Sequence, residues 1–585
     1  MRSRMWLPAS RWRSPDTPLT ESVRLVELRV LDGPNLYFPC PAIKLTMAVP
    51  AWLTMTADRA AQLAERTGFS TAARPGAPDS EQRRRYIARL AVHLTRLLAQ
   101  ASRTRLAVRG RPGPEREEII VAFPWRRQHA AEAFARQIPT LLLTGLDARR
   151  SLERSIEDAV ATSQSVEPGP APTVLTPTMP VVAVTGTNGK TTTVRLIAHL
   201  AREAGWSVAC TTTDGVYLDE TLIEEGDYSG FSGAAKALAN PGLDLAVLET
   251  ARGGILLRGI GTAYNDAAVV TNISEDHLDQ YGIRTLDQLA EVKASITRIT
   301  KPDGWVILNA DDPRVLAMRR QATGRPWIFS LDVDHPAIRT TLDEHGHVTT
   351  ALDGELVVMS SRRDVRALVA VEDIPVTLAG ISSHNLRNAM GAASAALAVG
   401  IPETAVIRGL RSFVLEPERN PGRANLFQLD SRIVVVDYAH NEDGMRGLIE
   451  ICRGLRPPRG KIWLTFGIPG DRTDAIVHRL AYTAARGADR VAIAELRRYL
   501  RGRDRLDLIE RLRAGAVDGG HPVPPVFIDE ISALQWMVAE SAPDDVLAIT
   551  ALAQRPEIFS DLKDRGAPSL SPVEVKALVR RAREG

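Results

Sequence analysis

A glycine-bounded turn separates an apolar run from a helical pattern in Val181-Val-Ala-Val-Thr-Gly-Thr-Asn-Gly-Lys-Thr-Thr-Thr193 and the residues that follow, 194–204. Strand, glycine turn and helix in this order form a phosphate cradle, because the glycines let backbone N–H groups turn inward and the helix N-terminus adds partial positive charge. Lys190 is placed to reach the β- and γ-phosphates, and the Thr191 hydroxyl to bind Mg²⁺. The sequence therefore predicts ATP binding, by Gly186, Thr187, Asn188, Gly189, Lys190, Thr191 and Thr192.

Further motifs follow this loop: Leu248-Glu-Thr-Ala-Arg-Gly-Gly254, Thr271-Asn-Ile-Ser-Glu-Asp-His-Leu-Asp279, Lys293, Asn309-Ala-Asp-Asp312, Ser383-His-Asn-Leu-Arg-Asn388, Pro421-Gly-Arg423 and Asp437-Tyr-Ala-His-Asn441. The loop itself is two residues shorter than the usual Walker spacing, a form seen in Mur ligases and folylpolyglutamate synthetases. The motif order resembles a Mur ligase from the phosphate loop to the C-terminal domain.

Three stretches resemble the Mur-like half of cyanophycin synthetase more than they resemble other Mur ligases: Thr211-Thr-Thr-Asp-Gly-Val-Tyr217, Glu249-Thr-Ala-Arg-Gly-Gly-Ile-Leu256 and Gly467-Ile-Pro-Gly-Asp-Arg472. The opening Val23-Arg-Leu-Val-Glu-Leu-Arg-Val-Leu-Asp-Gly-Pro-Asn35 resembles the N-terminal domain of that family. The ATP-grasp domain that lies between these regions in the family is absent here, so the family's full reaction is not carried over.

Apolar runs alternate with helical patterns over residues 181–412 and again over 413–585, which predicts an α/β fold with mainly parallel sheets. By resemblance, these are the P-loop central domain and the Rossmann-like C-terminal domain of a Mur ligase. Residues 21–160 are expected to form a small α+β domain, 1–20 a flexible tail and 161–180 a linker.

The chain has 585 residues, 44% of them hydrophobic, and a formal net charge of +3, which suits a multidomain enzyme. Mixed charge argues against nucleic-acid binding. No apolar run reaches the roughly 18 residues of a membrane span, and residues 1–20 lack the apolar segment of a signal peptide. The cysteines stand apart and suggest neither disulfides nor a zinc site. We expect a cytoplasmic location, without a membrane or nucleic-acid partner; a homo-oligomer is compatible with this interpretation.

Glu249 and His277 follow predicted parallel strands, whose carboxyl ends gather binding sites. The resemblance implies that Thr191, Glu249 and His277 hold Mg²⁺. It also implies that Lys293 is carbamylated and supports a second ion. The alternative for Lys293, which lies in what reads as the start of a helix, is an exposed lysine paired with Glu291 or Asp287.

The resemblance places Asn309, Asn385, Arg423 and Asp437 beside the nucleotide. Arg423 would reach the γ-phosphate, and Asp437 would contact the ribose or orient Arg423. Candidate substrate-binding residues are Arg252, Arg258, His440, Asn441 and Arg472. The pattern departs from cyanophycin synthetase at Glu442, where proline is usual.

These features predict an ATP-dependent amide ligase. It would activate a carboxylate as an acyl phosphate and couple it to an amine, which the resemblance implies is an amino acid. Two alternatives stay open: a glutamate ligase of the folylpolyglutamate synthetase type, and a non-catalytic ATP-binding regulatory subunit. The catalytic set expected of the ligase is Lys190, Glu249, His277, Lys293 and Arg423.

Overall fold

A computed structural model describes residues 22–147, 149–276, 278–361 and 364–584. The chain divides into two compact units, which are taken in turn. The first extends to Val174 and includes the short segment Leu257–Gly259, and the second comprises Leu175–Leu256 and Ile260–Gly585. None of the described helices is long and apolar enough to cross a bilayer.

The first unit is a small α+β domain, as predicted. Its strands are β1 (Arg24–Leu31), β2 (Ala42–Ala48), β3 (Arg109–Pro112) and β4 (Glu118–Pro124), and its helices are α1 (Pro50–Thr54), α2 (Ala57–Glu65), α3 (Glu81–Ala101), α4 (Gln128–Leu146) and α5 (Leu152–Gln164). The sheet order is β1-β2-β4-β3, with antiparallel pairing throughout. In α3, Leu90, Leu94 and Leu98 recur every fourth residue and are buried in the same apolar cluster as the inner face of β2.

The central part of the second unit begins at the phosphate loop strand. Its strands are β5 (Val181–Thr185), β6 (Val208–Thr211), β7 (Gly215–Leu218), β8 (Thr221–Glu225), β9 (Leu245–Glu249), β10 (Asn265–Val270), β11 (Thr300–Asn309), β12 (Arg325–Ser330), β13 (His347–Leu352), β14 (Glu355–Met359) and β15 (Val365–Ala370). Its α-helices are α6 (Lys190–Glu203), α7 (Phe231–Leu238), α8 (Arg252–Leu257), α9 (Leu286–Lys293), α10 (Pro313–Ala317), α11 (Pro336–Asp343), α12 (Ser383–Ala398) and α13 (Glu403–Ser412). Short 3₁₀ turns lie at Ala294–Ile296, Met318–Gln321, Val371–Asp373 and Pro375–Thr377.

These strands form one eleven-stranded sheet in the order β15-β14-β13-β12-β11-β10-β5-β9-β6-β7-β8. The run from β13 to β6 is parallel, and antiparallel strands extend it at both edges. All of β5 is buried, as expected of a strand covered on both faces. β5 lies between β9 and β10, so the ends of these three strands meet beside the phosphate loop.

The C-terminal part carries a second sheet. Its strands are β16 (Asn425–Leu429), β17 (Arg432–Asp437), β18 (Ile462–Phe466), β19 (Arg490–Ala494), β20 (Val526–Phe527) and β21 (Val546–Thr550), and its helices are α14 (Glu442–Leu455), α15 (Asp474–Gly487), α16 (Arg505–Asp518), α17 (Glu530–Glu540), α18 (Arg555–Asp564) and α19 (Pro572–Glu584), with a 3₁₀ turn at Arg497–Tyr499. The order is β16-β17-β21-β18-β19-β20, parallel except for β16. The predicted α/β architecture is confirmed in both parts.

Candidate active site

The phosphate loop depends on two glycines. Gly186 and Gly189 have φ values of 151° and 83°, a region that favours glycine. A Cβ at Gly186 would lie 1.8 Å from Thr271 Oγ1, and one at Gly189 would lie 2.1 Å from Asn388 Oδ1. Helix α6 starts directly after Gly189 without a side-chain N-cap. Its first N–H groups are therefore placed to bind an anion, and the cradle suits a nucleotide phosphate.

Asn272 holds the outer part of this loop. Its backbone carbonyl accepts the Thr187 N–H at 2.9 Å, and its Oδ1 accepts the Asn188 N–H at 2.9 Å. Its Nδ2 donates to Asn188 O at 3.0 Å. Asn272 was not singled out in the sequence analysis, although it lies within a quoted motif. Because these contacts already use two loop N–H groups, phosphate binding falls to the N–H groups from Gly189 onward.

Glu249, the last residue of β9, is buried against the start of α6. Thr191 Oγ1 donates to Glu249 Oε2 at 2.9 Å. The other oxygen, Oε1, is buried without a hydrogen-bond partner in the described part of the chain. Burial raises the pKa of the Glu249 carboxyl, while the charge of Lys190 acts in the opposite direction. An unpaired carboxylate oxygen beside a threonine hydroxyl fits a Mg²⁺ site. His277, the third predicted ligand, lies outside the described residues.

The two predicted lysines both donate to backbone carbonyls of the phosphate loop. Lys190 Nζ donates to Thr187 O at 2.8 Å. Lys293 is the last residue of α9 rather than near its start, and its buried ammonium donates to Gly186 O. Burial, with the positive charge of Lys190 nearby, holds the pKa of Lys293 well below its usual value.

The alternative of an exposed lysine at position 293 is therefore wrong. The side chain of Lys293 is buried because the end of α9 packs under the phosphate loop. Asp287, one of the two suggested partners, instead accepts from Arg314 Nε at 2.8 Å.

Arg423 of the C-terminal part reaches the phosphate loop. Its Nη2 is 3.5 Å from Thr191 Oγ1, and its guanidinium carbon lies 4.9 Å from the centre of the Tyr438 ring. Its Nε is buried and has no hydrogen-bond partner among the residues described. Asp437 Oδ2 accepts the Ala424 N–H at 2.8 Å and so holds the backbone next to Arg423. This contact favours the orienting role for Asp437 over ribose binding.

The predicted asparagines lie around the same loop but differ in their contacts. Asn309 is buried at the end of β11, where its Nδ2 donates to Thr271 O at 2.8 Å and its Oδ1 accepts the Asp311 N–H at 3.0 Å. Asn385, in the first turn of α12, accepts from Asn388 Nδ2 at 3.1 Å. Asn309 Nδ2 thus joins the ends of β10 and β11, while its Oδ1 holds the turn that follows β11.

Several candidate substrate residues converge on Asp276. Arg472 Nη2 lies 3.0 Å from Asp276 Oδ1, and its side chain is only 2% exposed. His440 Nε2 lies 3.4 Å from Asp276 Oδ2. Burial lowers the pKa of Arg252, and the nearby charge of Asp276 partly offsets this effect. Arg472 is therefore part of a buried link between the central and C-terminal parts.

The remaining two candidates have different surroundings. Arg258 belongs to the first compact unit, where its Nη2 donates to Asp32 Oδ2 at 2.8 Å. Asn441 is the N-cap of α14, and its Oδ1 accepts the Gly444 N–H at 2.9 Å. Glu442 occupies the first position of that helix. Proline is favoured there, and a carboxylate is also stabilised at a helix N-terminus, so the departure at Glu442 leaves the helix start intact.

The comparisons with known proteins agree with this architecture. Residues 184–396 match the Mur ligase middle domain, and residues 422–551 match the Mur ligase, glutamate ligase domain. Together these matches cover more than half of the chain, which belongs to the Mur ligase family, as the motif order predicted.

Named relatives show the extent of the similarity. The chain is 38% identical over 317 residues to cyanophycin synthetase of Synechocystis sp., covering 54% of this chain and 36% of that protein. It is 28% identical over 402 residues to UDP-N-acetylmuramoyl-L-alanyl-D-glutamate–2,6-diaminopimelate ligase of Alkalilimnicola ehrlichii. This match covers 67% of this chain and 74% of that ligase. Escherichia coli FolC in complex with DHPP and ADP is a structural neighbour with 19% sequence identity and a TM-score of 0.47. The superposition covers 67% of this chain and 90% of FolC.

The match therefore spans little more than a third of the length of the cyanophycin synthetase. The homologous cyanophycin synthetases and Mur ligases are ATP-dependent carbon–nitrogen ligases. The resemblance of residues 21–160 to the cyanophycin synthetase N-terminal domain stays a prediction.

Proposed function

We propose that this chain is an ATP-dependent amide ligase that forms an acyl phosphate from a carboxylate and couples it to an amine. One observation carries the proposal: Thr191, Glu249 and Arg423 meet at the mouth of a glycine cradle, with one carboxylate oxygen and one guanidinium N–H left unpaired among the described residues. Binding groups that are buried without partners fit a charged ligand that completes them.

The chemistry requires charge to be neutralised while a phosphoryl group moves. A substrate carboxylate oxygen attacks the γ-phosphorus of ATP, and the bond from that phosphorus to the β,γ-bridging oxygen breaks, which gives ADP. The amine then attacks the acyl carbon, loses a proton, and inorganic phosphate leaves. In this proposal Lys190 and the N–H groups at the start of α6 bind the phosphates, and Arg423 stabilises charge on the γ-phosphate.

Thr191 and Glu249, with His277 by resemblance, would hold Mg²⁺, which neutralises phosphate charge when bound. Lys293 is the candidate for carbamylation. Its depressed pKa favours the neutral amine that reacts with CO₂, and the resulting carbamate would be an anion beside Gly186. Both assignments are part of the proposal.

The substrates follow from the relatives. One relative is named for joining 2,6-diaminopimelate to a UDP-muramoyl peptide, and others are cyanophycin synthetases. We therefore propose a peptide or aspartate-like carboxylate as acceptor and an amino acid such as arginine as the amine. Arg252, Arg258, His440, Asn441 and Arg472 stay predictions as substrate contacts, as does the cytoplasmic location.

The test is a substrate matrix. The full chain is incubated with ATP and Mg²⁺ against paired pools of carboxylates and amines, and phosphate release is measured together with product mass. A condensed product with ADP and phosphate, formed only when both pools are present, supports the proposal. Nucleotide hydrolysis independent of both pools, or AMP and pyrophosphate as products, contradicts it.

A further inference from the structure

We propose that Arg555, the first residue of α18, is a positioning residue that holds the Pro421-Gly422-Arg423 turn against the phosphate loop. It does so by joining this turn to Asp214, which lies between β6 and β7 of the central part. The kinetic consequences of this inference rest on the proposed function, whereas its structural consequences do not.

Arg555 contacts the turn directly. Its Nη1 donates to Pro421 O at 2.9 Å. Gly422 has a φ of 70°, and a Cβ at this position would lie 2.7 Å from Arg555 Cδ. The side chain of Arg555 therefore packs so closely on the turn that the turn needs glycine at its centre. A displacement of Arg555 would remove both the hydrogen bond and this packing.

Tyr438 links Arg555 to Arg423. The guanidinium carbon of Arg555 lies 5.3 Å from the centre of the Tyr438 ring, and that of Arg423 lies 4.9 Å from the same centre. An aromatic ring attracts cations over its face, so both arginines have a favourable contact with one ring. The ring and the turn together restrict where the Arg423 guanidinium can lie relative to Thr191.

Asp214 anchors the arrangement to the central part. Its Oδ1 lies 3.6 Å from Arg555 Nη2, while its Oδ2 accepts from Arg195 Nη2 at 2.9 Å. Arg195 belongs to α6, and its Nη1 is 3.5 Å from Asn420 Oδ1, immediately before the turn. One carboxylate thus receives two guanidinium groups, one from the phosphate-loop helix and one from α18. This gives Asp214 a role that the ligation chemistry does not assign to it.

The backbone that carries Arg555 is itself fixed. Glu530, 1% exposed at the start of α17, accepts N–H groups from Leu552, Ala553 and Gln554 at 2.7 to 3.2 Å. These bonds hold the loop between β21 and α18. Arg555 therefore starts from a rigid position, which a residue that places another side chain requires.

Hydrogen exchange in the nucleotide-free chain tests the structural claim. The turn amides are protected by three bonds: Gly422 N–H to Asn425 Oδ1 (2.6 Å), Arg423 N–H to Asn420 O (3.2 Å) and Ala424 N–H to Asp437 Oδ2 (2.8 Å). Arg555→Ala and Asp214→Asn should each accelerate exchange across residues 420–424 by about tenfold or more. Arg555→Lys should show an intermediate effect, because lysine keeps the charge but cannot contact two acceptors as a fork.

The matched control is Arg565→Ala, at the other end of α18, where Arg565 pairs with Asp561 of the same helix. It should leave exchange at residues 420–424 unchanged. Unchanged exchange in both Arg555→Ala and Asp214→Asn would overturn the proposal. If Arg555→Ala does not fold, unchanged exchange in both Arg555→Lys and Asp214→Asn would overturn the proposal, because each of these variants weakens the Arg555–Asp214 pair while keeping a side chain of similar size.

A double-mutant cycle tests the link to Arg423. The probe is a fluorescent, nonhydrolysable ATP analogue with Mg²⁺, and the variants are Arg423→Ala, Arg555→Ala and both together. If Arg555 acts through Arg423, the dissociation constant of the double variant for the ATP analogue should exceed that of the more weakly binding single variant by at most about twofold. Multiplication of the two single effects would overturn the proposal and indicate independent contacts. Absence of binding by the unaltered chain would contradict the proposed function instead, and the exchange experiment would still decide the role of Arg555.

Discussion

Asn188 of the phosphate loop and Asn441 at the N-cap of α14 exchange two hydrogen bonds through their side-chain amides. Asn441 Nδ2 donates to Asn188 Oδ1 at 2.9 Å, and Asn188 Nδ2 is 3.2 Å from Asn441 Oδ1. Asn188 Nδ2 also lies 3.0 Å from Asp443 Oδ2. The loop that is expected to bind ATP is therefore joined directly to a helix of the C-terminal part.

Asn441→Ser should separate the two roles of this residue. Serine keeps a side-chain oxygen for the N-cap but lacks the amide that reaches Asn188. We expect an unfolding free energy within a few tenths of a kcal/mol of that of the original chain, but severalfold weaker binding of the ATP analogue. Asn441→Ala should in addition lose about 1 kcal/mol of unfolding free energy. Equal nucleotide affinity in all three proteins would show that the exchanged bonds do not support the loop.

Lys190→Ala should reduce ligation by about a hundredfold or more, because it removes a cation from the transferring phosphoryl group. The fold should be retained, since the Lys190 ammonium donates only to Thr187 O among the contacts described. Phosphate release measured with the substrate pair from the matrix checks this. Lys563→Ala is the matched control, because Lys563 is exposed on α18. Equal losses in the two variants would argue against a phosphate-binding role.

Glu249→Gln should change the metal requirement. Glutamine can still accept from Thr191, but it lacks the negative charge of the buried carboxylate. We expect the Mg²⁺ concentration for half-maximal ligation to rise by about tenfold or more, as measured by metal titration. Chelation with EDTA should abolish ligation by the unaltered chain, and added Mg²⁺ should restore it. An unchanged titration curve for the variant would exclude Glu249 as a metal ligand.

Lys293 should make stability depend on pH. An ordinary lysine titrates near pH 10.4, and burial lowers the pKa of Lys293 well below this value. Between the two pKa values the unfolded chain binds more protons, so the unfolding free energy should rise with pH. Lys293→Met removes the cost of burying the ammonium, so the variant should have a higher unfolding free energy than the original chain. This difference should be fully present below the pKa of Lys293 in the folded chain and should disappear above about pH 10.4.

Urea unfolding in CO₂-free buffer with EDTA, across a pH series, measures this difference. Lys563→Met serves as the control, because its exposed lysine should add no pH-dependent difference. A Lys293→Met advantage that stays constant across the series would contradict the depressed pKa.

Carbamylation of Lys293 predicts a labelled adduct. The neutral amine attacks CO₂ and loses a proton, which gives a carbamate at Nζ. Protein in ¹³C-bicarbonate near pH 8 with Mg²⁺ should show a carbamate ¹³C signal, and Lys293→Arg should lack it because a guanidinium stays protonated. The same signal in both proteins would place the adduct elsewhere, and no signal in either would leave Lys293 as an unmodified amine.

Local pattern was sufficient for the elements around the phosphate loop. Short-range sequence determines the geometry here: β5 is a continuous apolar run, Gly186 and Gly189 adopt positive φ, and α6 starts directly after Gly189. Local pattern does not predict β3 or the exposed β8, because pairing with neighbouring strands supports them more than their own sequences do.

The sequence by itself determined the order of the α/β elements, the phosphate cradle and the family, because glycine conformation, strand periodicity and motif order are local properties of the chain. Tertiary structure alone decided that Lys293 is buried under Gly186, that Arg472 meets Asp276, and that Asp214 receives both Arg195 and Arg555. Asp214 and Arg555 are far apart along the chain, so their meeting depends on how the two sheets pack. Burial and the electrostatic field at a side chain arise from that packing, which no short stretch of sequence contains.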